Sequence, residues 1–567
     1  MKLPIILFAG VLSLPTAYGK DKVADGLEKA RDANGNVKVL IAYEEAIDDK
    51  KAKKVLDIRG RVNKKHAATG IMEAEVPANE LDALSEDEDI LYIAPDRIVR
   101  PTMDYAMAAI QLTSTIRSQW SGAGIGVAVI DSGIDPHLDL LRGFTSALVY
   151  QESFLPGAPT DLKDSYGHGT HVAGIIAGNS LSTQFPGSTR SFAGVAPKVN
   201  LISLKVLDAS GAGTDSMVIA AIERTIALKT QYNIRIANLS IGRPVFESYK
   251  LDPLTLAVKK LWQSGIVVVV AAGNYGRDDS AGTKGYGTIS SPGNHPLVIT
   301  VGATRTMYTT GRSDDQMTSY SSKGPTAIDH IVKPDLVAPG NQIVSTVYTG
   351  ASTMATTYPQ NLIPMSYYSP STFMSSSPSW TYYRMSGTSM AAPAVAGAVA
   401  LLLQKDPTLT PDQVKARLMR SAAKVLPGSS VAVDPLTGKS YNVQGDMFTV
   451  GAGYLDVQAA LADTSKLSGT AASPVATRKK DGHVYLSFTK NAVWGGSALW
   501  GEKTIFGANL FLTSSSALWG ESALWGEKTA TAYSALWGES ALWGESALWG
   551  ETVGATGSND IQAYGDK

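Results

Sequence analysis

Between about residues 104 and 462, short and almost purely apolar runs recur at 126–130, 199–206, 234–240, 266–271 and 297–301. They lack the in-and-out alternation of a half-wet sheet, so they suit parallel strands buried on both faces. Segments 214–227 and 253–264 read as helices between them. Strands alternating with helices predict one doubly wound, mostly parallel α/β sheet, where reactive groups gather at the carboxyl ends of strands. A length of 567 residues leaves room for further units on either side.

The flanks differ in texture. Residues 1–19 join a basic Met1-Lys2 start to an apolar run and to the small residues Ala17 and Gly19, the pattern of a secretory signal peptide. That run, and the later ones at 266–272 and 394–403, are shorter than the about 20 residues a bilayer span needs, so no transmembrane span is expected. The expected location is extracellular. Residues 20–102 are far more charged, with strands at 37–43, 67–76 and 90–94 and helices at 44–56 and 78–84. Three strands alternating with two helices predict a separate small α+β domain of ferredoxin-like layout.

Residues 341–383 carry no charged side chain and read as a long loop that packs beside the cleft. From 464 to 567 the chain is a repeat array: Ser-Ala-Leu-Trp-Gly-Glu begins at Ser497, Ser516, Ser522, Ser534, Ser540 and Ser546. A six-residue step turns a helix by about 600° and scatters the tryptophans, whereas extended chain keeps them on one face. Two readings stand: a β-rich array serving surface attachment or self-association, and a flexible low-complexity tail. On either, removing 464–567 is expected to leave the chemistry of the central region intact.

Composition excludes several function classes. Fifty basic against 51 acidic side chains give a net charge of −1, no field for gripping nucleic-acid phosphates or an anionic membrane. Without cysteine there are no disulfides, thiolate metal sites or cysteine nucleophiles. Histidine chemistry must draw on seven residues.

Three glycine-opened segments hold reactive side chains. The run 126–130 ends in Asp131, a carboxylate that is costly to bury without a partner, although it could equally cap the next turn. Gly167-His168-Gly169-Thr170-His171 opens a helix; the glycines clear space around the imidazole, and no acidic residue follows His168 and His171 at zinc-ligand spacing. Ser386-Gly387-Thr388-Ser389-Met390-Ala391 opens a helix that is apolar on nearly every side through Leu403. Ser389 falls in its first turn, as a reactive hydroxyl or as a plain N-cap. Gly387-Thr388-Ser389-Met390-Ala391 is not the G-x-S-x-G elbow of lipases and esterases.

An acid, an imidazole and a hydroxyl in the order Asp, His, Ser is the subtilisin order. The central region also contains Ala271-Ala272-Gly273-Asn274, Ser290-Ser291-Pro292-Gly293, Ser321-Ser322-Lys323-Gly324-Pro325, Lys333-Pro334-Asp335 and Gly451-Ala452-Gly453-Tyr454. On these segments it resembles the subtilisin-like serine proteases, the subtilase family.

The resemblance implies a secreted serine endopeptidase with catalytic Asp131, His168 and Ser389 and an oxyanion hole at Asn274, acting on proteins or peptides. It places substrate binding at Gly211, Gly213, Ser240, Gly242, Ala271, Ala272 and Gly273, where no acidic residue favours a basic side chain. It makes 20–102 an inhibitory propeptide cut near Thr102 and bounds the catalytic domain at 103–463. No cofactor is implied for the reaction. A structural calcium is, with Asp139 at one ligand position and the rest of its site open. The competing expectation is a catalytically silent binding protein that works through the Trp-rich tail.

Overall fold

The computed structural model describes residues 34–43, 47–66, 70–95, 104–184, 188–280, 282–347, 352–368, 378–466, 468–478, 484–488, 509–512 and 555–567, with Lys22, Val23 and Leu27. The predicted signal peptide, the cut near Thr102 and all six hexapeptide repeats lie outside these residues. The chain divides into two compact units between Arg100 and Pro101.

In the first unit the strands run antiparallel in the order Arg61–His66, Ile71–Pro77, Asn36–Tyr43, Ile90–Pro95. Alternate residues Val37, Val39, Ile41 and Tyr43 face a core closed by Ala52, Val55, Leu81 and Leu84 from two helices. The first helix begins at Asp49, capped by Asp48 accepting from the Lys51 amide, later than the predicted start at 44. The strand Arg61–His66 has no burial alternation and hence no apolar period in its sequence. That is why it is the hardest element here to read.

The second unit is built on the predicted sheet. Its parallel strands lie in the order Ile299–Arg305, Val267–Ala271, Ile234–Leu239, Gly126–Asp131, Asn200–Lys205, Leu148–Ser153. Leu336–Pro339 adds in parallel to Ile299–Arg305, and a short antiparallel strand, Gln316–Met317, closes that edge. The first strand in sequence therefore sits in the middle. Its neighbours leave it in opposite directions, and the crevice at such a switch point is where ligands bind in open α/β sheets.

The helix Thr388–Lys405 crosses the strands Ile234–Leu239, Val267–Ala271 and Ile299–Arg305, and residues 388–403 are buried throughout. Each of Val395, Val399 and Leu401 contributes about 1.5–3 kcal/mol through this burial. Among the described residues it is the one helix long and apolar enough to cross a membrane, and here it is core.

Two expectations change. Residues 341–383 are not a plain loop. The strands Ile343–Thr346, Leu362–Pro364 and Pro378–Met385 form an antiparallel sheet, and the Thr353 and Met354 amides donate to the Ser165 and Tyr166 carbonyls, just ahead of His168. The period-2 signal fails because serine, threonine and tyrosine occupy both faces.

Nor does the second unit end at 463. Val332 donates to the Pro474 carbonyl, Ala476 to that of His330, and Ser473 Oγ donates to Asp335 Oδ1 (2.5 Å) and accepts from Lys415 Nζ (2.9 Å). Asp335, Lys333 and Lys415 are wholly buried, so an unpaired partner there is costly. Removing 464–567 would strip Ser473 from this cluster. Accordingly, Ser473→Val is expected to cost about 1–3 kcal/mol, read as a lower denaturation midpoint with peptide turnover per folded molecule unchanged.

Candidate active site

Asp131 closes the central strand Gly126–Asp131, and His168 is the first residue of the helix His168–Ala177. The two meet: His168 Nδ1 lies 2.7 Å from Asp131 Oδ1, both side chains almost fully buried. A carboxylate only accepts, so Nδ1 carries the proton and Nε2 is left as the basic nitrogen. Among the described residues Nε2 has no hydrogen-bond partner. Burial pulls the His168 pKa down, but the charge and hydrogen bond of Asp131 outweigh it, and the result lies above the ordinary 6.5.

The approach of the helix to the strand depends on Gly169. A Cβ there would stand 2.1 Å from the Gly133 carbonyl oxygen. A second carboxylate, Asp164, ties strand and helix together. It accepts from Ser132 Oγ (2.7 Å), from Gly167 N (2.8 Å) and from Thr170 N (2.7 Å). Ser132 in turn donates its amide to Asp131 Oδ1 at 2.8 Å. Burial pushes the Asp164 carboxyl up against these donors. Sequence reasoning missed Asp164, although an aspartate just ahead of a glycine-opened helix is a capping signal.

Ser389 is the second residue of its helix, after Gly387 at φ +147. It is not a cap: its hydroxyl donates to the Ser240 carbonyl at 3.0 Å. The structure therefore joins Asp131 to His168, and places Ser389 and His168 on one cleft without a hydrogen bond between them. Asn274 lies on the same cleft. Its Oδ1 accepts from Thr388 N (3.0 Å) and Thr388 Oγ1 (3.1 Å). That fixes the carboxamide so that Nδ2 is the free donor. Thr388, overlooked in the sequence, is thus what orients Asn274.

The cleft, of about 540 Å³, is also lined by Gly211, Gly213, Ser240, Gly242, Ala271 and Gly273, six of the seven predicted substrate positions. Ala272 is not among them. It is fully buried, with its amide donating to the Val301 carbonyl and its own carbonyl accepting from Ser290. Side chains of an extended segment alternate, so Ala271 and Gly273 share a side that Ala272 cannot. Asp215 on the cleft wall is paired with Arg243 at 2.7 Å.

No metal reading gains support. His171 is fully buried, with Nε2 against the Tyr383 and Ile343 carbonyls and its pKa driven down to about 3 by burial. For calcium the donors at Asp139 do not fit. One carboxylate oxygen accepts from Tyr382 Oη (2.5 Å), the other from Ser182 N (2.7 Å), and no group of three or more metal-binding side chains occurs among the described residues.

Comparison with known proteins agrees with the geometry. A family model described as the subtilase family matches residues 122–453. The chain is 37% identical to serine protease AprX of Bacillus subtilis over 382 residues, 65% of this chain and 76% of that protein. It is 30% identical to subtilisin E of the same species over 466 residues, 80% of this chain and 97% of the relative. Subtilisin DY of Bacillus licheniformis is 33% identical over 360 residues, 63% and 98% of the two chains.

Proposed function

The chain belongs to the subtilase family and is a serine endopeptidase; on that premise we propose that Asp131, His168 and Ser389 carry the reaction and that Asn274 stabilises its charge. The observation that carries this reading is the buried Asp131–His168 contact on the cleft that Ser389 and Asn274 also line.

Rotation about the Cα–Cβ bond of Ser389 exchanges the Ser240 carbonyl for His168 Nε2 as acceptor. Nε2 takes the hydroxyl proton while Oγ bonds to the substrate carbonyl carbon, and the carbonyl π pair moves onto oxygen. Asn274 Nδ2 and the Ser389 amide, one of the free N–H groups of the first helical turn, donate to that oxyanion. Asp131 holds the imidazole in place and balances the imidazolium without taking its proton. As the tetrahedral adduct collapses, the C–N bond breaks and His168 protonates the departing amine. Water then hydrolyses the acyl-enzyme by the same sequence. An extended substrate pairs with the backbone at 211–213 and 240–242.

Residues 1–19 direct export, and 20–102 act as an inhibitory propeptide removed near Thr102, so the enzyme works outside the cell. The hexapeptide array serves surface attachment or self-association. Hydrolysis of casein by the processed protein tests the central reading, and a processed protein that leaves casein whole would defeat it. Asn274→Leu keeps the volume and deletes the donor. It is expected to lower kcat about 10²–10³-fold with KM nearly unchanged, the scale known from subtilisin. A KM effect alone would mean that Asn274 only binds substrate.

A further inference from the structure

The last nine residues of the sequence, 559–567, finish the helix Ala555–Tyr564 and lie against the cleft. Tyr166 Oη lies 2.6 Å from Asn559 Oδ1 and 3.0 Å from Gln562 Oε1, and the Ser386 amide donates to the Gln562 carbonyl at 2.8 Å. Arg277 Nη2 donates to Asp566 Oδ1 at 2.8 Å. The segment thus touches a residue within three positions of each of His168, Ser389 and Asn274. Asn559, Ile561 and Gln562 themselves line the cleft.

Its capture is chemically specific. Carboxamide side chains read the backbone. Asn361 donates to the Ala563 carbonyl (2.6 Å), Gln342 to that of Tyr564 (2.6 Å), and Asn341 both donates to the Asp566 carbonyl (2.9 Å) and accepts from its amide (2.8 Å). At Gly565, φ +61, a Cβ would stand 2.3 Å from Asn341 Oδ1 and from Ser386 Oγ. The Asp566 side chain is buried, paired with Arg277 and accepting from the amide and hydroxyl of Ser319 at 2.6 Å each. A glycine followed by an acid is what this site accepts.

We propose that the groove formed by Tyr166, Arg277, Ser319, Asn341 and Ser386 is a peptide-recognition site whose occupant, Asn559–Lys567, straps the cleft and competes with protein substrate. This rests on the protease reading and adds to it a regulated state. The strap belongs to the same chain as its site, so substrate competes with an intramolecular partner, and weakening one anchor shifts the balance.

The test uses the full processed protein with Asp566→Ala and, separately, Gly565→Val. Each is expected to lower KM for β-casein at least tenfold while leaving kcat within twofold. An unchanged KM, or lost turnover with a lower melting temperature, overturns the proposal by making the segment a structural brace. A protein lacking 559–567 supplies a second test. Added synthetic peptide of sequence 559–567 should inhibit it competitively, and the Ala-for-Asp566 peptide should not. Absence of inhibition, or activation by the peptide, also overturns it. Fluorescence anisotropy of the labelled peptide on the shortened protein carrying Ser389→Ala, with residues 20–102 first removed by added parent enzyme, needs no turnover by the protein tested. Casein-displaceable binding there supports the strap even if hydrolysis fails, and no binding refutes the strap while leaving the protease reading to its own assay.

Discussion

Ser389→Ala is expected to lower peptide turnover about 10⁶-fold, the loss known for the serine of subtilisin. The size follows from what the substitution removes. Oγ is the atom that bonds to the substrate, and the neighbouring hydroxyl on the same first turn, that of Thr388, is engaged with Asn274 Oδ1. The Asn274 carboxamide keeps its anchor on Thr388 in the variant. Water attack assisted by the oxyanion donors therefore persists, roughly 10³–10⁴ above the uncatalysed rate. Serine to alanine removes only the oxygen, and the Ser240 carbonyl loses one donor, so the fold should survive. The same variant is expected to accumulate as an uncut precursor, its intact mass retaining residues 20–102. Equal casein hydrolysis by parent and variant would sink the assignment. Normal cutting with lost hydrolysis would instead assign maturation to another enzyme.

How far such a site can be read from sequence depends on whether its parts are local. Asp131, His168 and Ser389 each announce themselves because a buried strand or helix ends at a reactive side chain flanked by glycine, a pattern visible within about eight residues. The parallel strands are legible for a related reason: burial on both faces leaves a continuous apolar run. What stays hidden is set by partners far along the chain. Thr388 matters through Asn274, 114 positions away, and Asp164 through Ser132 as well as its own helix. Ser473 looks like tail until Asp335 and Lys415 are found around it. The segment 559–567 has no apolar period at all. Its place is fixed by backbone carbonyls meeting Asn341, Gln342 and Asn361, and composition gives no hint of that. Ala272 illustrates the opposite error, a residue carried along by its neighbours although alternation turns it away.

Asp131→Asn separates placement of the imidazole from its chemistry. The asparagine fills the same volume, and Ser132 N can still donate to its oxygen as it does to Asp131 Oδ1 at 2.8 Å. That same oxygen lies 2.7 Å from His168 Nδ1, so with the oxygen kept in place the imidazole keeps its position and loses only the carboxylate charge. Nε2 must then take the Ser389 proton without the buried charge that balances the imidazolium. Turnover is expected to fall about 10⁴-fold with KM close to that of the parent. A second signature distinguishes this from simple misplacement. Burial lowers the His168 pKa, and the charge and hydrogen bond of Asp131 carry it above 6.5. His168 acts as a base only when neutral, so the acid limb of kcat/KM in the parent should lie above pH 6.5. Without the carboxylate, burial acts unopposed except by the more distant Asp164, and the limb should move to lower pH. A variant that keeps the acid limb in place, or that loses less than tenfold, would show that Asp131 does not set the state of His168.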